Sequence, residues 1–272
     1  RSVSSLWVLR FLFSGKKVAF HLHASSMKLD LSLDREIVSL GLSGFMMQAT
    51  NGMVQAATTS QLQLYGAQVL GDIYVSVYTV ICSVRDIVQM PLSGVTSGSQ
   101  PVIGFNFGAR LYRRVLQGIR VMSLMSLVYS FAAWLMILVK PAFFIALFSN
   151  DNQLLDIGAI CLRQFFAAFF FMTFQHAGQS VFQGLGFARF AIFFSLLRKV
   201  IIEVPLIFIL PWMGFGASGV FLAEPISDVL GGSACYITMM VVIYRPLCRV
   251  PDGHNWSHDR RAKARTKEET QT

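Results

Sequence analysis

The chain has 272 residues, of which 54% are hydrophobic and 14% charged, whereas a soluble domain carries about 25% charged residues. Phenylalanine alone occupies 24 positions, and the mean hydropathy is +0.56. A water-soluble globule of this length cannot hide that much apolar surface. Lipid must be part of the solvent, and the composition predicts an all-α integral membrane protein.

In chain order, Val3 to Phe13 is apolar but shorter than the roughly 20 residues a crossing needs, and it lacks the organisation of a signal peptide. It reads as the end of a helix begun upstream, with a loop reaching Arg35. Six spanning helices are then predicted, over residues 36–60, 69–95, 115–139, 154–183, 187–212 and 215–244. They form one transmembrane lobe, residues 36–244. The stretch Pro141 to Phe148 is too short to cross and is expected at the interface beside Lys140. Residues 245–272 form a polar tail.

Basic residues set the orientation, because cytoplasmic loops are enriched in Lys and Arg. Of the 23 Lys and Arg, eighteen fall in the loops and termini of one face, and the opposite face has Lys140 alone. Both ends are therefore expected in the cytoplasm. The net charge of +9 follows from this topology and from attraction to anionic lipid, and it calls for no nucleic-acid partner. The four cysteines, Cys82, Cys161, Cys235 and Cys248, form no CxxC pair. Neither a disulfide framework nor a metal site is expected.

Several predicted spans carry polar stripes. Gly44, Gln48, Asn51, Gln55 and Thr58 recur at steps of three and four, so they share one face of the first span. Gln175, Gln179 and Gln183 repeat the pattern in the fourth. Amides facing lipid are unsatisfied, so these faces must meet protein or water. Interhelical hydrogen bonding and the wall of a polar cavity both meet that requirement. His176 reads as a hydrogen-bonded packing residue, since no second metal-ligand residue lies at ligand spacing.

Charges inside spans usually mark ion or substrate pathways. Here they are Arg85, Asp86, Arg163, Glu203, Glu224 and Asp228. Counted from the outer ends of their helices, Arg163, Glu203 and Glu224 fall at similar depth, so a salt bridge among them is geometrically possible. Arg198 and Lys199 lie near mid-span and imply a wet cytoplasmic vestibule. Pro205 and Pro225 are expected to interrupt the last two spans, and Pro91, Gly94 and Gly98 to loosen the end of the second. The chain has no GxxxxGK[ST], HExxH or GxSxG motif. It has no catalytic residues to offer, so neither an enzyme nor an organic cofactor is expected.

The stretch GVTSGSQPVIGFNFGAR at 94–110 resembles the segment after the second helix of a half in the multidrug and toxic compound extrusion (MATE) family. FQGLGFAR at 182–189 is similar to that family's loop between the fourth and fifth helices of a half. Arg198 to Asp228, with Pro205, Leu210-Pro211, Gly219-Val220 and Glu224-Pro225, also resembles the family. KLDLSLDREIVSLGLSGFMMQA at 28–49 looks like the loop between lobes leading into the seventh helix.

The resemblance implies a two-lobed, twelve-helix transporter of which this chain is the C-terminal lobe, with residues 1–35 as the end of the sixth helix and the inter-lobe loop. It implies secondary active efflux of organic, often cationic, compounds in exchange for Na⁺ or H⁺, in a plasma or inner membrane. The expected partners are membrane lipids, a small organic substrate and the N-terminal lobe. The substrate and ion pathway is expected at Gln48, Asn51, Gln55, Asp86, Arg163, Gln175, Gln179, Glu203, Glu224 and Asp228. The acidic ligands that some members carry in the seventh and tenth helices have no counterpart here, so that cation site does not carry over. A flippase for lipid-linked sugars and a non-functional truncated lobe are the alternatives.

Overall fold

The computed structural model describes residues 49–148 and 151–253. Gly44 and Gln48, the loop over 1–35 and the distal tail lie outside them. Among the described residues all regular structure is helical. Helix α1 (49–65) is followed by α2 (Ala67–Gly108), α3 (Tyr112–Val139), α4 (Pro141–Ala146), α5 (Asn152–Phe165) and α6 (Met172–Gly184). A helical path from 188 to 215 joins α7 (Ala188–Leu196), a wide π turn (Leu197–Glu203), α8 (Val204–Leu210) and a second π turn (Pro211–Phe215). The last path joins α9 (Gly216–Ser227), a π turn (Asp228–Gly232), α10 (Ser233–Met239), a π turn (Met240–Tyr244) and α11 (Arg245–Leu247).

Among the described residues, two single helices are long and apolar enough to cross a bilayer, over Gly71–Gly108 and Tyr112–Val139. The pair Asn152–Phe165 and Phe169–Gly184, bent by 42°, qualifies jointly. Helix α3 shows how such a rod divides its faces. Val115, Ile119, Met122, Ser126 and Ser130 point inward at steps of three and four. Leu124, Val128 and Met136 point outward, each more than half exposed. An apolar outer face of this kind marks contact with lipid or with a further protein surface.

The second span does not end near residue 95 as expected. Helix α2 runs for 42 residues, about 63 Å at 1.5 Å per residue, and passes through both Pro91 and Pro101. Its polar side chains close bonds within the same helix. Thr96 Oγ1 donates to Leu92 O, Ser99 Oγ to Val95 O and Asn106 Nδ2 to Val102 O. Residues that open turns in water are thereby satisfied inside the helix. Packing on α6 helps: a Cβ on Gly104 would stand 2.7 Å from Gly184 O. The two backbones meet there, and Gln100 Nε2 donates to Gln183 Oε1 at 2.9 Å.

The fourth span is likewise not continuous. The run FFAAFFF tightens into a 3-10 turn at Phe169–Phe171, with Phe166 and Phe169 buried and their rings 4.9 Å apart. Trp134 Nε1 donates to Ala167 O at 3.0 Å, which satisfies a carbonyl freed by the break.

The apolar interior forms two clusters. One gathers Leu62, Ile81, Phe165, Phe166 and Phe221; the other gathers Ile103, Ile119, Phe182, Cys235 and Met239. The start of the tail is tied to the corner between α2 and α3, where Gly253 N donates to Arg110 O and Arg113 N to Asp252 Oδ1, each at 3.0 Å.

Candidate functional site

Helices α1, α2 and α6 and the π turn at Leu197–Glu203 enclose a cavity of about 410 Å³. Drug-sized ligand pockets fall in the range of about 300–1,000 Å³. Asn51 and Gln55 reach it from α1, so the amide face of the first span is a cavity wall. Arg85, Asp86 and Gln89 reach it from α2, Gln175, His176 and Gln179 from α6, and Arg198 and Lys199 from the π turn.

The α6 amides both line the cavity and bind protein. Gln175 Nε2 donates to Phe194 O at 3.3 Å and Gln179 Nε2 to Ala191 O at 3.2 Å. These bonds dock α6 against α7. Gln175 Oε1 is buried and accepts no hydrogen bond from the described protein. His176 is the hydrogen-bonded residue expected of it, with its Nε2 2.8 Å from Gln89 Nε2.

Arg198, Lys199, Glu203 and Asp228 lie on wider-than-α turns, and Glu224 lies one turn before Asp228 in α9. Such turns often occur at functional sites, and here they stand beside the two helix-breaking prolines. One precedes Pro205 and carries Arg198, Lys199 and Glu203; the other follows Pro225 and begins at Asp228. Both helices stay helical past their prolines by widening. The widened turns bring the charges together: Arg198 Nη1 donates to Asp228 Oδ1 in a short contact and lies 3.5 Å from Glu224 Oε1. Lys199 Nζ is 3.4 Å from Glu203 Oε2. Arg198, Glu203, Glu224 and Asp228 are all buried. Burial at this depth is tolerable only because the charges are paired.

Arg198 is also seated by backbone shape. A Cβ at Gly231, one turn beyond Asp228, would stand 2.6 Å from Arg198 Cγ. Only a glycine lets the guanidinium stem lie across this turn.

Arg198 and Lys199 border the polar cavity and are also paired with carboxylates. One expectation about the charges changes. Arg163 does not join Glu203 or Glu224; it lies beside Lys140 and Phe143 in a separate groove. Among the described residues it forms no salt bridge. Counting residues along ideal α-helices misplaces it, since the α5–α6 break and the π turns shift the register. Asp86 pairs with Arg85 at 3.2 Å and is 62% exposed, which sets it at the cavity rim.

Long helices with apolar outer faces around a polar cavity define an all-α, multi-pass membrane protein. The MatE family profile matches residues 45–209, more than half of the sequence, and the chain belongs to that family. Its fold is similar to that of a multidrug resistance MATE family transporter of the MOP superfamily in an outward-facing conformation, with TM-score 0.79 and 16% identity. That match covers 92% of this chain and 55% of the other. The inward-facing conformation of such a transporter matches with TM-score 0.74 and 16% identity, over 92% of this chain and 56% of that one. The MATE multidrug transporter DinF-BH, solved as a complex, matches with TM-score 0.72 and 30% identity, over 90% of this chain and 52% of that one. The chain thus spans about half the length of these transporters. No curated protein matches it significantly.

Proposed function

We propose that this chain is the C-terminal lobe of a secondary active exporter of small organic compounds, a transporter and not an enzyme. Its six helical crossings pair with a six-helix N-terminal lobe, both ends are cytoplasmic, and the assembly sits in the plasma or inner membrane. Export proceeds by alternating access driven by Na⁺ or H⁺ antiport. The observation that carries this reading is the cavity of about 410 Å³, set inside an apolar-surfaced bundle and backed by a buried ion network. Asn51, Gln55, Gln175 and Gln179 hold the cargo by adaptable hydrogen bonds. Gln48 continues the same stripe on the sequence. Asp86, Glu203, Glu224 and Asp228 supply the charge that changes during the cycle. Arg163 is left out of this pathway.

The cargo is cationic or neutral. Each cation on the wall, Arg85, Arg198 and Lys199, is already in an ion pair, which leaves no basic patch for the pyrophosphate of a lipid-linked sugar. The test is efflux by the full-length, two-lobed gene product in vesicles, with ethidium (a fluorescent organic cation) and a lipid-linked oligosaccharide as alternative cargoes. Gradient-dependent ethidium export supports the reading. Movement of the oligosaccharide alone supports the flippase alternative, and movement of neither under any gradient supports a non-functional remnant.

A further inference from the structure

Helix α3 carries its own measure of the membrane. Between Arg120 and Lys140 the sequence has no charged residue. That stretch of roughly 20 residues, at 1.5 Å per residue, rises about 30 Å, the thickness of a bilayer's hydrocarbon core. Arg120 and Lys140 therefore mark its two edges, and Lys140 stands at the level of phospholipid headgroups. Helix α5 runs antiparallel to α3. Trp134 Nε1 donates to Ala167 O, and the Phe131 and Phe170 rings are 6.2 Å apart. The same register brings Lys140 to the level of Cys161, within one turn of Arg163.

These two cations share a groove of about 460 Å³. It lies at the corner where Lys140 leaves helical geometry ahead of Pro141, as a residue before proline tends to do. The rest of its wall is apolar. Val139, Phe143 and Ile160 border it, each more than half exposed. No carboxylate borders it, and among the described residues neither cation forms a salt bridge. Asp156 is the nearest acid on the same face of α5. It stands about 10 Å from Arg163 along the axis, beyond the Debye length of about 8 Å at physiological salt. Arg198 and Lys199, deeper in the bundle, each face a carboxylate; Lys140 and Arg163 face an open groove.

We propose that this groove binds an anionic phospholipid, with the headgroup phosphate between the Lys140 ammonium and the Arg163 guanidinium and an acyl chain along Val139, Phe143 and Ile160. A free phosphate ion would satisfy the cations and leave the apolar wall bare. A neutral lipid would cover the wall and leave the cations without counter-charge. A zwitterionic lipid would bring a further cation to a site that already holds two. An anionic phospholipid meets both halves of the groove. The groove is separate from the cargo cavity, so its occupancy is read from lipid contact and not from transport. The proposal requires a membrane-embedded lobe and is independent of the cargo and of the coupling ion.

The test uses the full-length gene product in nanodiscs of mixed lipid, carrying Ala142→Cys in a background without other reactive thiols. Ala142 borders the groove, so a bimane label there senses its occupant. Phosphatidylglycerol and phosphatidylcholine with the same brominated chains are compared as contact quenchers. Each cation near a membrane surface favours anionic lipid by roughly a factor of five, so a preference for phosphatidylglycerol of about five- to thirty-fold is expected. Lys140→Gln with Arg163→Gln should abolish that preference, and each single substitution should leave an intermediate value. Equal quenching by the two lipids with both cations present overturns the proposal, as does a preference that survives the double substitution. Relief of phosphatidylglycerol quenching by inorganic phosphate at constant ionic strength would assign the groove to the free ion and also overturn it. If the double variant does not reach the membrane, Lys140→Gln alone decides: a loss of about fivefold in preference is expected, and an unchanged preference refutes the site.

Discussion

The two walls of the cavity solve the same problem, polar groups inside an apolar bundle, in different ways. The wall made by α1 and α6 uses neutral amides at regular helical spacing, and on α6 the Gln175 and Gln179 NH2 groups each donate to a neighbouring backbone carbonyl. The wall made by the widened turns uses full charges, with Arg198 gripping two carboxylates from another helix. An amide that loses its partner can turn to water in the cavity. A buried guanidinium that loses its carboxylate has no such recourse. The charged wall should therefore respond steeply to substitution and the amide wall gently.

The largest effect is expected at Asp228. Asp228→Ala leaves Arg198 buried beside a remote partner at 3.5 Å, and breaking a buried ion pair costs about 3–5 kcal/mol. Thermal melting of the detergent-solubilised protein should fall sharply, together with its membrane abundance. Gly231→Ala comes next. The added methyl collides with the Arg198 stem, and overpacking of this kind costs about 1–3 kcal/mol, read by the same melt. Transport should fall with it, because the guanidinium is displaced from Glu224 and Asp228.

On the amide wall, Gln179→Ala removes one hydrogen bond to Ala191 O, worth about 0.5–1.5 kcal/mol. The protein should stay folded, with weaker ethidium binding as the main change in a fluorescence titration. The smallest effect belongs to Arg163→Ala, outside both walls, where a change within about 0.5 kcal/mol is expected, with export unaltered. A steep loss of export in that variant would restore Arg163 to the pathway and blur the contrast between the walls.

The same contrast explains what could be read from sequence. The amide stripes were legible because helical periodicity is local: Asn51 and Gln55, or Gln175 and Gln179, need only a regular turn to share a face. The apolar spans and the all-α membrane class were legible from composition. The ion network was not, although its members stood out as charges within spans. Arg198 is separated from Glu224 by 26 residues and from Asp228 by 30, and the turns that unite them depart from 3.6 residues per turn. The signal available was the placement of Pro205 and Pro225 close to those charges, since a helix that must pass a proline often widens nearby. The end of α2 departs from its sequence pattern for a related reason. Gly94, Gly98 and Pro101 break helices in water, but hydroxyl and amide bonds within the helix and the close contact with α6 carry it through.

The central claim is that the charged wall works in transport and is more than structural glue. Glu224→Gln tests it most directly, because it removes a charge while preserving shape and leaving the Arg198–Asp228 contact in place. Efflux of ethidium by cells or vesicles carrying the full-length variant, normalised to membrane abundance, should be impaired while abundance equals that of the wild type. Unchanged export and unchanged drug resistance at equal abundance would contradict the claim and return the network to a purely structural role.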